Sequence, residues 1–158
     1  MIRELLIFLL PFTSALNIGV SMDYMNALRK NHSAPPLKYD AQISKVATAW
    51  AQHIIDTGKF EHSDSIYGEN IAYTYSAGDY KSFVKVTNAF YNERNFYNYS
   101  NPVFSMKTGH FTQLVWVNSK LVGIGIASNK TNTAFVFNYH PPGNYEGSFA
   151  KNVLPLVE

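Results

Sequence analysis

Val122-Gly123-Ile124-Gly125-Ile126-Ala127 alternates apolar side chains with glycine. A strand of this kind carries bulk on one face and almost none on the other, so a helix or another backbone can approach the bare face closely. Ala134-Phe135-Val136-Phe137-Asn138-Tyr139 follows a turn at Asn129 to Thr133 and is rich in β-forming residues. The two segments together predict an antiparallel hairpin.

Helices to cover such a hairpin are legible upstream. Asp23 to Lys30 reads as a first helix, with Tyr24, Ala27 and Leu28 on one face, and Ala34-Pro35-Pro36-Leu37 forces an extended connection after it. Asp40 has the side chain of an N-cap for a longer helix. There Ile43, Val46, Ala47, Trp50, Ala51 and Ile54 follow the spacing of a buried stripe, Trp50 as a core residue, and Gly58 supplies the stop. Asp79 caps a third helix whose apolar face is Tyr80, Phe83, Val84, Thr87, Phe90 and Tyr91. Phe60 to Tyr75 reads as irregular, Asn95 to Thr108 as a loop and Phe149 to Val157 as extended. The fold class is therefore α/β, with helices around a small antiparallel sheet in one domain.

The chain has 158 residues, enough for one sizeable core, and only 15% of them are charged against 46% apolar. A net charge of +2 without a run of like charges gives no electrostatic footprint for nucleic acid. There is no cysteine, which excludes disulfides, thiolate metal sites and cysteine nucleophiles. Any metal is then expected to be held by His, Asp, Glu or water.

Arg3 precedes the run Leu5-Leu6-Ile7-Phe8-Leu9-Leu10, and small residues stand at Thr13 and Ala15. This is the pattern of a secretory leader, with processing between about Ala15 and Ser21, so residues 1–21 are expected to be removed and 22–158 to form the domain. The run is too short to span a bilayer, which takes about 20 apolar residues. Asn31-His32-Ser33, Asn98-Tyr99-Ser100 and Asn129-Lys130-Thr131 are acceptor triplets for N-glycosylation on such a route.

The chemistry-bearing residues are His62 in Phe60-Glu61-His62-Ser63, Glu69 in Gly68-Glu69-Asn70, Glu93 in Tyr91-Asn92-Glu93, and His110 at the head of Gly109-His110-Phe111-Thr112-Gln113-Leu114-Val115-Trp116. We read the two imidazoles and two carboxylates as converging on one cleft. His32 and His53 are expected at the surface, and His140 on a rim. No HExxH is present, so a helical metalloprotease motif is excluded.

These stretches, with Ala34-Pro35-Pro36-Leu37, Tyr67-Gly68-Glu69-Asn70-Ile71-Ala72 and Tyr139-His140-Pro141-Pro142-Gly143-Asn144, occur in the order found in the CAP superfamily of cysteine-rich secretory, antigen 5 and pathogenesis-related class 1 proteins. The chain resembles that family from about Met22 onward, and is most similar to its short, cysteine-poor, Golgi-associated plant pathogenesis-related-like members. The resemblance implies an α-β-α sandwich with His62 and His110 as ligands of Zn2+ or another divalent cation, weakly held, and Glu69 and Glu93 as hydrogen-bonding groups in the cleft. Phe90 stands where the family often has Trp.

Two imidazoles with open positions suit Zn2+ completed by water. The same four residues could equally satisfy one another as a buried polar network without metal. Tyr73, Tyr75 and Tyr80 match the spacing of a caveolin-binding-type motif, which in some family members lies in a loop implicated in sterol binding. A secreted, non-enzymatic module for sterol or fatty acid is the expectation that follows, with a membrane surface or a host receptor as further partners. One alternative is a metal-dependent hydrolase using Glu69 or Glu93 as general base. Another is a scaffold recognised by a receptor or an immune system.

Overall fold

The computed structural model describes residues 16–157. In chain order the elements are α1 (Ile18–Lys30), β1 (Lys38–Tyr39), α2 (Ala41–Thr57), β2 (Gly68–Thr74), α3 (Tyr80–Asn92), a 3-10 turn (Glu93–Phe96), α4 (Gly109–Leu114), β3 (Leu121–Ser128), β4 (Thr133–His140) and α5 (Phe149–Asn152). The strands form one sheet in the order β1-β3-β4-β2. The expected hairpin is β3 with β4, paired from Leu121 with His140 to Ser128 with Thr133. β2 adds antiparallel to β4, and β1 adds parallel to β3 through two residues.

The glycine face of β3 determines how the layers stack. A side chain on Gly123 would run into the backbone of Ile43 and Ser44, and one on Gly125 into that of Ala47 and Thr48. So α2 lies flat on β3, and Ser44 Oγ accepts a hydrogen bond from Ile124 N–H at 3.0 Å. Ala47, Ala51 and Ile54 pack there with Ile71, Ala127, Ala134 and Val136. On the other face, Met25, Phe83, Phe111 and Leu114 bring α1, α3 and α4 onto Phe135, Phe137 and Tyr139. Alternation along β4 thus feeds two cores, and the α-β-α sandwich is as the sequence implied.

The caps follow the sequence closely. Asp40 accepts from Gln42 N–H and Ile43 N–H, Gly58 ends α2 at φ 69°, and Asp79 accepts from Ser82 N–H. Elsewhere the structure corrects the reading. α1 begins at Ile18 rather than Asp23, capped by Asn17, whose side chain accepts from Val20 N–H. The leader segment, residues 1–15, lies outside the described residues, while the later processing limit, Ser21, is buried within α1.

The segment from Phe60 to Tyr75 is not irregular throughout, because its second half is β2. Val46 is 42% exposed and stays outside the core, while Trp50 is half-buried at the core's edge, stacked on His53 and donating Nε1–H to Glu61 O. The tail folds into α5 before it becomes extended.

His32 departs furthest from expectation. It is fully buried, with Nδ1–H donating to Leu154 O at 2.7 Å and Nε2 facing the Tyr91 hydroxyl at 3.1 Å. The returning C-terminal segment covers it, and Val157 N–H donates to Asn31 O. Burial pushes its pKa below the ordinary histidine value, with the Arg94 charge acting the same way and the Leu154 hydrogen bond opposing.

Candidate functional site

The last turn of α3 grips His110 from two sides. Phe90 stacks on the imidazole with ring centroids 4.6 Å apart, so the aromatic residue that stands in place of Trp sets the plane of the ring. Three residues on, Glu93 caps the helix and turns its carboxylate toward α4. Its Oε2 accepts from His110 N–H at 3.0 Å and Phe111 N–H at 3.1 Å, two of the amides a helix start leaves without partners. Its Oε1 accepts from His110 Nδ1–H at 2.7 Å.

The second pair comes from β2 and the loop before it. Glu69 is nearly buried, its side chain 5% exposed, while the side chain of His62 is 61% exposed. Glu69 Oε1 accepts from His62 Nδ1–H at 2.8 Å and from Ser63 N–H, and Oε2 accepts from Ser63 Oγ–H at 2.6 Å. The Glu69 hydrogen bond holds the His62 pKa above its ordinary value, and partial burial opposes the shift.

Both pairs have the same logic. A carboxylate can only accept, so each imidazole carries a proton on Nδ1, and in the neutral ring Nε2 is the nitrogen with an open lone pair. His62, Glu69, Asn70, Gly109 and His110 border one hollow of about 100 Å³, which brings together three of the four residues expected there; Glu93 does not line it and reaches it only through His110. Phe104 and Met106 form its apolar rim, and Asn144 closes another side. Sequence reasoning did not single out these last three. Asn144 ends the Tyr139–Asn144 motif but was given no role in the site, and nothing in the sequence marks Phe104 or Met106, which reach the hollow through tertiary packing.

The neighbouring asparagines act on main chain. Asn70 Nδ2–H donates to His110 O at 2.9 Å, and Asn144 Nδ2–H donates to Gly109 O at 3.0 Å. Asn144 Oδ1 accepts from Thr112 Oγ–H, and Gln113 Oε1 accepts from Gly143 N–H. Thus the Pro-Pro-Gly-Asn stretch clips α4 in place.

The donor set fits a metal ion only in part. Two neutral imidazole nitrogens are available, but among the described residues no three His, Cys, Asp or Glu side chains come together as a ligand cluster. A tetrahedral ion held by His62 and His110 would therefore need two further ligands of another kind.

The three tyrosines do not share one slot. Tyr73 is the penultimate residue of β2 and packs edge-on with Phe60 and with Tyr75, which is 87% exposed. Tyr80 instead stacks on Phe83, in the core of the opposite layer. Tyr75 borders a separate hollow of about 320 Å³ against the β3–β4 turn. His140 is exposed beside Tyr67, and Asn31, Asn98 and Asn129 are all exposed.

The model of the cysteine-rich secretory protein family (CAP) matches residues 22–139. Golgi-associated plant pathogenesis-related protein 1 of Homo sapiens is 36% identical over 137 residues, covering 82% of this chain and 87% of that one. Pathogenesis-related protein 1A of Nicotiana tabacum is 30% identical over 153 residues, covering 93% and 90%. The crystal structure of NaASP2 with Zn2+ superimposes with a TM-score of 0.70 at 22% identity, over 87% of this chain and 84% of that one, which is a likeness of fold. The chain belongs to the cysteine-rich secretory protein (CAP) family.

Proposed function

We propose that this chain is a secreted binding module whose cleft takes Zn2+ or a similar divalent cation between His62 and His110, and which carries a sterol or fatty acid at a separate surface. The observation that carries the metal reading is the matched pair of Nδ1–carboxylate hydrogen bonds, at 2.8 and 2.7 Å, made by two histidines that border one hollow; in the neutral rings Nε2 is then the atom open to a ligand. Glu69 and Glu93 would fix the tautomer and orientation of the two imidazoles. The same contacts argue against hydrolysis. Each carboxylate is already occupied by three hydrogen bonds, which leaves neither poised as a general base.

The lipid reading draws its support from the exposed Tyr75 and the hollow beside it, with Tyr73 and Phe60 extending the aromatic edge. Tyrosine rings offer a flat apolar surface while their hydroxyls remain in water. In α1, Met25 is buried and the Tyr24 hydroxyl donates to Asn88 of α3 at 2.6 Å, so these two helices are in direct contact rather than parted around an acyl chain. Secretion accords with the three exposed acceptor asparagines and the apolar N-terminal run.

Titration of the processed domain with Zn2+, and separately with labelled sterol and fatty acid, tests both parts. Loss of Zn2+ binding in His110→Ala and loss of lipid binding in Tyr75→Ala are the expected results. Saturable lipid binding that Tyr75→Ala leaves intact would remove the aromatic edge from the account. Zn2+ binding indifferent to His110→Ala would remove the cleft.

A further inference from the structure

Met106 borders the hollow with His62 and His110, yet it is 85% exposed. At that exposure its side chain adds little to the packing. Local geometry does hold it there. Thr108 N–H donates to Ser105 O at 3.0 Å and Lys107 N–H donates to Ser105 Oγ at 3.2 Å, which puts Met106 on the crest of a tight turn. Phe104, two residues earlier, seats that turn on α4, for a Cβ on Gly109 would come within 3.1 Å of its ring. The turn is thereby fixed against the residue that precedes His110.

The donor set gives this placement a chemical meaning. No third His, Cys, Asp or Glu joins the imidazoles among the described residues, so a third protein ligand has to be of another type. The thioether of Met106 is such a donor, and it is soft. Soft sulfur ligands favour Cu(I), whereas Zn2+ gains little from a neutral thioether. Imidazole serves either ion.

Building on the two-imidazole reading above, we propose that Met106 is the third protein ligand of the cleft and gives it a preference for Cu(I) over Zn2+. His62 and His110 are then common to both ions, and Met106 distinguishes them. Its unbranched, flexible side chain can swing its sulfur toward the hollow without moving the backbone.

The test is anaerobic titration of the full domain with Cu(I) in competition with a chromophoric chelator. Ag(I) serves as a redox-inert stand-in, and Zn2+ is measured in parallel, for the wild type, Met106→Leu and His110→Ala. Because position 106 is exposed, the Leu variant should fold normally, which circular dichroism verifies. The expected result is that Met106→Leu weakens Cu(I) and Ag(I) about ten-fold or more and leaves Zn2+ unchanged. X-ray absorption of the Cu(I) form should show a sulfur neighbour that the variant lacks. If Met106→Leu binds Cu(I) like the wild type while His110→Ala does not, the Met106 assignment is overturned and the two-imidazole site stands. If the wild type binds none of these ions, or His110→Ala binds them equally well, the two-imidazole reading falls and the copper preference falls with it.

Discussion

Arg29 Nη1–H donates to Leu114 O at 2.8 Å, joining the last turn of α1 to the last residue of α4 across 85 positions of sequence. The guanidinium is fully buried, and every hydrogen bond it makes ends on a carbonyl: Pro35, Leu114, Trp116 and Ser119. Desolvation lowers its pKa to about 10, which still leaves it charged at neutral pH. It works as a hub for main chain that turns away from the sheet on either side of Trp116.

Arg29→Met keeps much of the volume but strands those carbonyls without a donor. We expect a loss of about 3 kcal/mol in urea unfolding, in line with buried acceptors deprived of a charged partner. Arg29→Lys should recover little of it, because an ammonium cannot span the same fan of oxygens. A loss below about 1 kcal/mol in Arg29→Met would mean that water replaces the guanidinium.

Glu93→Gln is isosteric but presents only one oxygen to three donors. His110 then loses the acceptor that fixes its tautomer, and Zn2+ affinity should fall about ten- to a hundred-fold. Calorimetric titration measures the affinity, and the nitrogen chemical shifts of the imidazole report the tautomer. An unchanged tautomer with lower affinity would point to charge rather than orientation.

Low pH should act through His32. Its folded pKa is depressed, so the unfolded chain binds the proton more readily, and stability is lost as pH falls through 6.5 toward the folded value. His62 has the opposite sign: its pKa is raised, so its contribution is complete below 6.5 and fades as pH rises past the folded value. Melting temperature against pH for the wild type and His32→Phe separates them. The variant should begin less stable, having lost two hydrogen bonds, but should decline less steeply below 6.5. The difference in slope has a ceiling of about 1.4 kcal/mol per pH unit for one proton. Parallel profiles would sink the assignment.

Gly125→Ala tests the stacking of α2 on β3. The added methyl meets backbone rather than a side chain that can move aside, so α2 has to shift. A destabilisation of about 3 kcal/mol is expected, at the upper end for overpacking. Gly58→Ala is the comparison: nothing lies within 4 Å of its Cβ, and its positive φ alone should cost about 1 kcal/mol. Equal effects at the two positions would remove the special role of the glycine face.

These residues also show what the sequence made legible. Gly123 and Gly125 announced a close helix because only that packing explains two bare positions on one strand face. That Glu93 and His110 belong to one site was readable from motif order, whereas their direct pairing is made by the packing of α3 against α4. β2 was hidden because Glu69 and Asn70 serve the site, which blurs the alternation that marks a strand. His32 was misjudged because Asn31 and Ser33 on either side are exposed, while the cover comes from Leu154, 122 residues away. Trp50 fits the helical stripe by spacing, yet it packs only at the edge of the core, with its indole N–H bonded to Glu61 O.

Glu93, Asn70 and Asn144 between them hold the amide of His110, its carbonyl and the carbonyl before it, all without touching what lies beyond the Cβ at position 110 except through Nδ1. The main chain at position 110 is thus held apart from its ring, which Phe90 and Glu93 Oε1 orient separately. Position 110 is in effect a socket, and a smaller side chain there would empty the place of the ring without releasing the backbone around it.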